Sequence, residues 1–411
     1  MHLLIIGTVF PEPASSAAGS RMMQLIALFK SHSWKITFAS AATDSEFMAD
    51  LSVLGIEKKA IELNNGSFDE FVKTLQPGIV LFDRFMIEEQ FGWRVAEACP
   101  DAIRILDTED LHCLRAARQL AFKQKRAFKI SDLLQEEVAK REIASILRCD
   151  LSLIISPFEM ELLRNVFKTD PALLHYIPFM LDAVTDAEIA GWKPFETRTG
   201  FVSIGNFLHE PNWNAVLFLK EEIWPLIRKQ LPEAELLVYG AYASQKVNTL
   251  HNPAQGFHIM GRAASAKDVI GNAKVLLAPL RFGAGIKGKL TDAMQCGTPS
   301  VTTAIGAEGM HLSMEWSGII TDNAIEFAAA TVKLYSDRQN WQQAQLNGVN
   351  IINTIYQKEE RGEKLMLRIA DLEKNLKQYR LQNFTGAMLM HHTISGTKYM
   401  SKWIEAKNKN V

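Results

Sequence analysis

Cysteine is scarce in this chain of 411 residues: Cys99, Cys113, Cys149 and Cys296 stand far apart and form no C-x-x-C pair. That excludes a disulfide scaffold and a cysteine zinc site, and reduced thiols are expected. Charge of one sign is also missing, since 45 Lys and Arg face 46 Asp and Glu for a net of −1. Without a global positive field, a general nucleic-acid binder is excluded as the first reading. No apolar run approaches the roughly 18–20 residues that span a bilayer. The opening MHLLIIGTVFPEP lacks a basic leader and reads as a first β-strand, so a cytoplasmic protein is expected. What the chain does have, 47% hydrophobic and 22% charged residues, is the make-up of a globular protein with room for two or three domains.

The pattern along the chain is α/β. Leu3–Gly7 is a short apolar strand, Thr8–Gly19 a loop, Arg21–Ser31 a helix by the spacing of Met22, Leu25, Ile26 and Phe29, and Lys35–Ala39 a second strand. Further strands are expected at Ile79–Phe82, Ile103–Asp107 and Leu151–Ser156, with one long charged helix over about Ala116–Leu147. Residues 178–200 mix prolines, charges and lone aromatics without a period and read as a join. The pattern then restarts: strands at Phe201–Ile204, Glu235–Val238, Phe257–Met260, Val275–Pro279 and Ser300–Thr303, and helices at Trp213–Gln230 and about Lys289–Cys296. From Asn323 the chain is mostly helical, with Leu365, Leu367, Ile369, Leu372 and Leu376 as an apolar stripe. The divisions that follow are 1–180, a linker at 181–200, 201–360, and a helical tail at 361–411 that packs back on the first domain. Alternating strands and helices imply parallel, doubly wound sheets, which bind ligands at the carboxyl ends of their strands.

The chemistry concentrates in VLLAPLRFGAGIKGKLTDAMQCGTPSVTTAIGAEGM, Val275–Met310. A buried strand runs into RFGAGIKGK and a helix follows at once. Gly283, Gly285 and Gly288 allow close backbone approach, the helix start offers N–H groups and positive dipole, and Arg281, Lys287 and Lys289 add fixed charge. The combination suits a diphosphate. Gly283–Lys289 also matches G-x-x-x-x-G-K, but Leu290 stands where a P-loop needs Ser or Thr to bind Mg²⁺, which leaves a nucleotide triphosphatase as the weakest alternative.

This block resembles the donor-binding segment of GT-B fold glycosyltransferases, specifically the family 4-like glycosyl transferases group 1. SIGNFLHEPNWNA at Ser203–Ala215 and CDLSLIISPFEMELL at Cys149–Leu163 are similar to the start of that family's second domain and the close of its first. The resemblance implies two Rossmann-like domains facing across a cleft, a helical C-terminal extension, and transfer of a sugar from a nucleotide-diphosphate sugar, with retention, in polysaccharide or cell-envelope biosynthesis. The acceptor would be a glycan, a lipid-linked compound or a small molecule. No cofactor is expected, and no metal, since no D-x-D pair occurs.

Carried over by position, Arg281 and Lys287 would contact the diphosphate, with Lys289 a weaker candidate, and Gly283 and Gly285 would let the backbone close on phosphate or sugar. Asp292 would bind ribose, or merely favour its helix's first turn. Gly261 and Arg262 would meet the base. The chain departs from the family where two glutamates are usual, carrying Ala284 and Asp292, and it has Asn206–Phe207 in place of an arginine.

In the first domain, Gly19 either presents N–H groups to a ligand or is a turn glycine. In LDTEDLH, Leu106–His112, His112 either contacts the sugar or assists proton transfer, with Asp107 or Asp110 orienting it or binding acceptor hydroxyls, or it caps a helix. The basic run Arg115–Lys129 is a solvated helix face or a peripheral contact with the inner face of a membrane. His391–His392 lacks a third ligand and is not read as a metal site. A non-catalytic sugar-nucleotide or glycan-binding homologue and a sugar-nucleotide epimerase stay open as alternatives.

Overall fold

The structure, a computed structural model, describes residues 1–391. His392 and the rest of the tail motif beyond it lie outside the described residues.

The first sheet has seven parallel strands in the order β3-β2-β1-β4-β5-β6-β7. These are β1 His2–Gly7, β2 Lys35–Ser40, β3 Glu57–Ala60, β4 Ile79–Asp83, β5 Ile103–Asp107, β6 Leu151–Ile154 and β7 Leu174–Tyr176. Its central strands are buried on both faces, as a sheet covered by helices on each side requires. Leu4, Ile6, Val80 and Phe82 pack into one cluster and Leu3, Ile5, Ile79 and Leu81 into another, which is the two-residue alternation of a strand.

The second sheet has six parallel strands in the order β10-β9-β8-β11-β12-β13. These are β8 Thr199–Ile204, β9 Leu236–Tyr239, β10 Phe257–Gly261, β11 Ala273–Ala278, β12 Ser300–Thr302 and β13 Gly318–Ile320. In each sheet the strand order reverses beside the first strand, so crevices open beyond Gly7 and Asp83 in one domain and beyond Ile204 and Ala278 in the other.

Three expectations change. The region 116–147 is not one helix but three, His112–Lys123, Ile130–Gln135 and Glu137–Arg148, because Lys125 turns left-handed (φ 55°). The fold-back lets Glu142 accept the N–H groups of His112 (3.0 Å) and Cys113 (2.9 Å), capping the first of the three helices. The helix expected from Trp213 starts at Glu210 and contains a π-turn at Leu219–Ile223. There Pro225 supplies no N–H to Glu221 and crowds its carbonyl. Finally, Leu365, Ile369 and Leu372 of helix Lys358–Gln382 join the cluster of Leu3 and Ile5 on the first sheet, while Leu367 points out and is 65% exposed.

Candidate active site

A cavity of about 520 Å³ lies between the two sheets. Loop residues 13–18, Arg84, Glu109, Asp110, His112 and Arg115 line it from the first domain; Asn206, His209, Asn212, Arg262, residues 282–289 and Asp292 line it from the second.

The segment after β11 supplies the floor. Gly283 and Gly285 hold φ of 156° and 64°, backbone that favours glycine. A Cβ on Gly285 would lie 2.7 Å from that of Asp110, and one on Gly288 would lie 2.9 Å from that of Ala17. These two glycines therefore serve the approach of the domains. The approach is bonded as well: the Gly285 N–H donates to Glu159 (2.9 Å) and Arg118 donates to the Gly283 carbonyl (2.9 Å).

Helix Gly288–Gln295 begins at the cavity. Lys287 donates to the Gly285 carbonyl (2.6 Å) and Lys289 to the Asn212 side chain (2.8 Å); among the described residues neither forms an ion pair. Burial lowers both ammonium groups to about 8, with Glu308 opposing the shift at Lys287. Burial raises the Asp292 carboxyl to about 6, against the pull of Lys267.

Arg281 is placed elsewhere than expected. Its guanidinium stacks on Phe122 and Phe218, donates to Asn214 (2.8 Å) and does not line the cavity. The physical reason is the pair of rings, one from each domain, which hold a planar cation better than an exposed loop would. Gly261 (φ 70°) accepts from the Gly240 N–H at 2.8 Å and also lies off the cavity wall. Arg262 does line it, but crosses to the first domain, donating to Ser15 (3.3 Å) and stacking on Phe47. Gly19 is a packing glycine, since a Cβ there would lie 2.4 Å from the Glu12 backbone, and its N–H is taken by Ser16 (3.0 Å).

On the first-domain wall His112 sits 3.5 Å from Asp110 and edge-on to Phe85. Burial takes its imidazole down to about 4, against the opposing pull of Asp110, so it faces the cavity neutral at pH 7. Burial would raise Asp110, but Arg115, its ion-pair partner, and His112 prevail and hold it at about 2. Behind them Arg21 and Asp107 form a buried ion pair (3.0 Å), with further bonds from Arg21 to the carbonyls of Ile177 and Pro178. The basic run is divided in use. Arg115 faces the cavity and Arg118 makes a two-pronged contact with Glu308 of the second domain (2.8 Å each), while Lys123, Lys125, Arg126 and Lys129 are exposed.

Residues 198–337 match the family described as Glycosyl transferases group 1. Over this stretch the second domain is similar to that of the group 1 glycosyltransferases. Sucrose-phosphate synthase from Thermosynechococcus elongatus is similar in structure over 90% of this chain and 99% of its own, at 15% identity and a TM-score of 0.64. HepE from Anabaena, solved with UDP and glucose, is similar over 90% and 100% at 11% identity and 0.66. TarM from S. aureus, solved with fondaparinux, GlcNAc-glycerol and UDP, covers 90% and 99% at 9% identity and 0.66. These likenesses establish the GT-B fold. No curated protein matches the chain by sequence.

Several wall residues of the cavity escaped the sequence reading. Arg84 (φ 75°) and Glu109 (φ 61°) hold a backbone form rare for side-chain-bearing residues, each just beyond a strand. Both directly follow or fall within apolar-strand endings, FDR and LDTED, so the rule that located His112 also covers them. His209, just before helix Glu210–Phe218, also lines the cavity and was not singled out in SIGNFLHEPNWNA.

Proposed function

We propose that this glycosyltransferase moves a sugar from a nucleotide-diphosphate sugar to an acceptor hydroxyl, with its diphosphate on Lys287, Lys289 and the start of helix Gly288–Gln295. The observation that carries the reading is the pair of cavity lysines whose partners are neutral oxygens rather than carboxylates. A buried cation without a counter-ion is costly, and an anionic ligand relieves it. HepE was solved with UDP-glucose, which supports a nucleotide sugar as donor. The glycosyltransferase WaaG, involved in lipopolysaccharide biosynthesis, has a similar structure, which supports a glycan or lipid-linked acceptor.

In the proposed reaction the bond from the sugar's anomeric carbon to the β-phosphate oxygen breaks, and negative charge grows on that oxygen. Lys287, Lys289 and the first N–H groups of the helix stabilise it, preorganised electrostatic work of the oxyanion-hole kind. The acceptor oxygen bonds to the same carbon with retention, and its proton leaves with the phosphate. The domain contacts at Gly285 and Gly288 keep water from competing. The lysines supply the charge, so transfer is expected to persist in EDTA. Asp292 lies within the cavity wall for a ribose contact.

Thermal unfolding against UDP, GDP, ADP, dTDP and their sugar conjugates, with and without Mg²⁺, tests the proposal. A ligand at about 100 times its Kd stabilises the native state by about 2.7 kcal/mol. A metal-independent shift from one diphosphate supports the reading; no shift from any overturns it.

A further inference from the structure

A second chamber of about 270 Å³ adjoins the donor cavity, sharing Ser16, Ala18, Arg84, Asn206 and Leu208 with it. Its buried wall is apolar: Phe38 and Met22 are 1% and 3% exposed. Its rim carries Val9 from the first domain, 47% exposed, and Leu208 from the second, 74% exposed. Two large aliphatic side chains in water at one opening are worth burying under a ligand.

The inner end is polar and unsatisfied. Asp83, 6% exposed, lines the chamber; its Oδ1 accepts no hydrogen bond, and the nearest cation is Arg84 Nε at 3.6 Å. Glu109 lines the donor cavity next door, and its buried Oε1 also has no partner. Unpartnered buried carboxylate oxygens cost free energy, and a ligand hydroxyl recovers it. The left-handed backbone of Arg84 and Glu109 holds this group at the junction of the chambers.

We propose that the second chamber is the acceptor subsite, and that the acceptor is a hydroxyl compound with an apolar group beside its sugar or polyol head. Asp83 and Glu109 receive hydroxyl hydrogen bonds at the junction with the donor cavity, and the apolar group is covered by Val9 and Leu208, with Phe38 and Met22 behind it. The inference rests on the transferase reading of the adjoining cavity.

Calorimetric titration of the full chain with phenyl β-glucoside and methyl β-glucoside, with and without saturating nucleoside diphosphate, tests it. The phenyl compound should bind about tenfold tighter or better, the scale on which an apolar pocket discriminates. Val9→Lys, at a rim position open to solvent, should bring that ratio toward one, whereas Asp83→Asn should weaken both glucosides together. Equal binding of the two, binding of neither up to about 10 mM, or a ratio untouched by Val9→Lys overturns the proposal. Nucleotide binding without glucoside discrimination sinks only the acceptor subsite; glucoside discrimination without any nucleotide binding sinks the transferase reading.

Discussion

Raising the pH from 7 to 9 should discharge Lys287 and Lys289 and weaken nucleotide-sugar binding. Burial sets both ammonium groups near 8. In the free protein each is therefore about nine-tenths charged at pH 7 and about one-tenth charged at pH 9. The bound diphosphate returns them toward their ordinary range of about 10.4, so each lysine costs about tenfold in affinity across that window, and the pair about a hundredfold. Calorimetry with a nucleotide sugar at pH 7, 8 and 9 and constant salt reads the slope directly, since the esterified diphosphate does not titrate there. Lys289→Met and Lys289→Arg should each remove about half of the logarithmic slope, the arginine while keeping the charge. Stability must move the other way. A lysine lowered in the folded state destabilises below about 8, and that cost fades as pH climbs towards the unfolded value of about 10.4. Affinity that holds constant or rises from pH 7 to 9 would refute the placement of the diphosphate on these lysines.

Other perturbations separate structural from chemical roles. Arg281→Gln should leave turnover within about threefold of wild type, because its guanidinium stacks away from the cavity, whereas Lys287→Met should lower turnover by about 10²–10³-fold; steady-state rates decide between them. Arg21→Met leaves Asp107 charged and buried, and denaturant unfolding should show a loss of about 3–5 kcal/mol. Gly285→Ala meets both a left-handed backbone and the Asp110 Cβ, so it should cost about 1–2 kcal/mol in backbone strain alone and lower turnover by parting the domains. Arg118→Met removes the partner of Glu308 and should cost about 2–3 kcal/mol by denaturant unfolding.

The strands that define the fold were legible because a parallel sheet covered on both faces writes itself as an unbroken apolar run, as in LLII of β1 and VLLA of β11. The strand EKKA of β3 was invisible for the converse reason: it is an exposed edge, and its charges protect that edge rather than announce it. At the site, spacing located the loop but not the direction of each side chain. Arg281 and Lys287 look alike in the sequence, and what separates them is Phe122 and Phe218, distant residues that draw one cation out of the cavity. In the same way Arg115 and Arg118 lay hidden within a run of surface-like basic residues, since only the folded chain shows that they face Asp110 and Glu308.

Those contacts also explain how a loop so rich in glycine holds one shape. Gly283 and Gly285 are the positions with the most backbone freedom, and each is fixed by a side chain of the other domain, Arg118 at the carbonyl and Glu159 at the N–H. Closing the cleft and shaping the loop that presents Lys287 are thus the same event. An open cleft would leave the loop loose and its lysines solvated, a poor binder of phosphate. A closed one has the lysines desolvated and aimed before any ligand arrives. That coupling gives Ala284 its sense: with the domain contact made on either side of it, the loop is positioned from across the cleft, by Glu159, without a carboxylate of its own at that point.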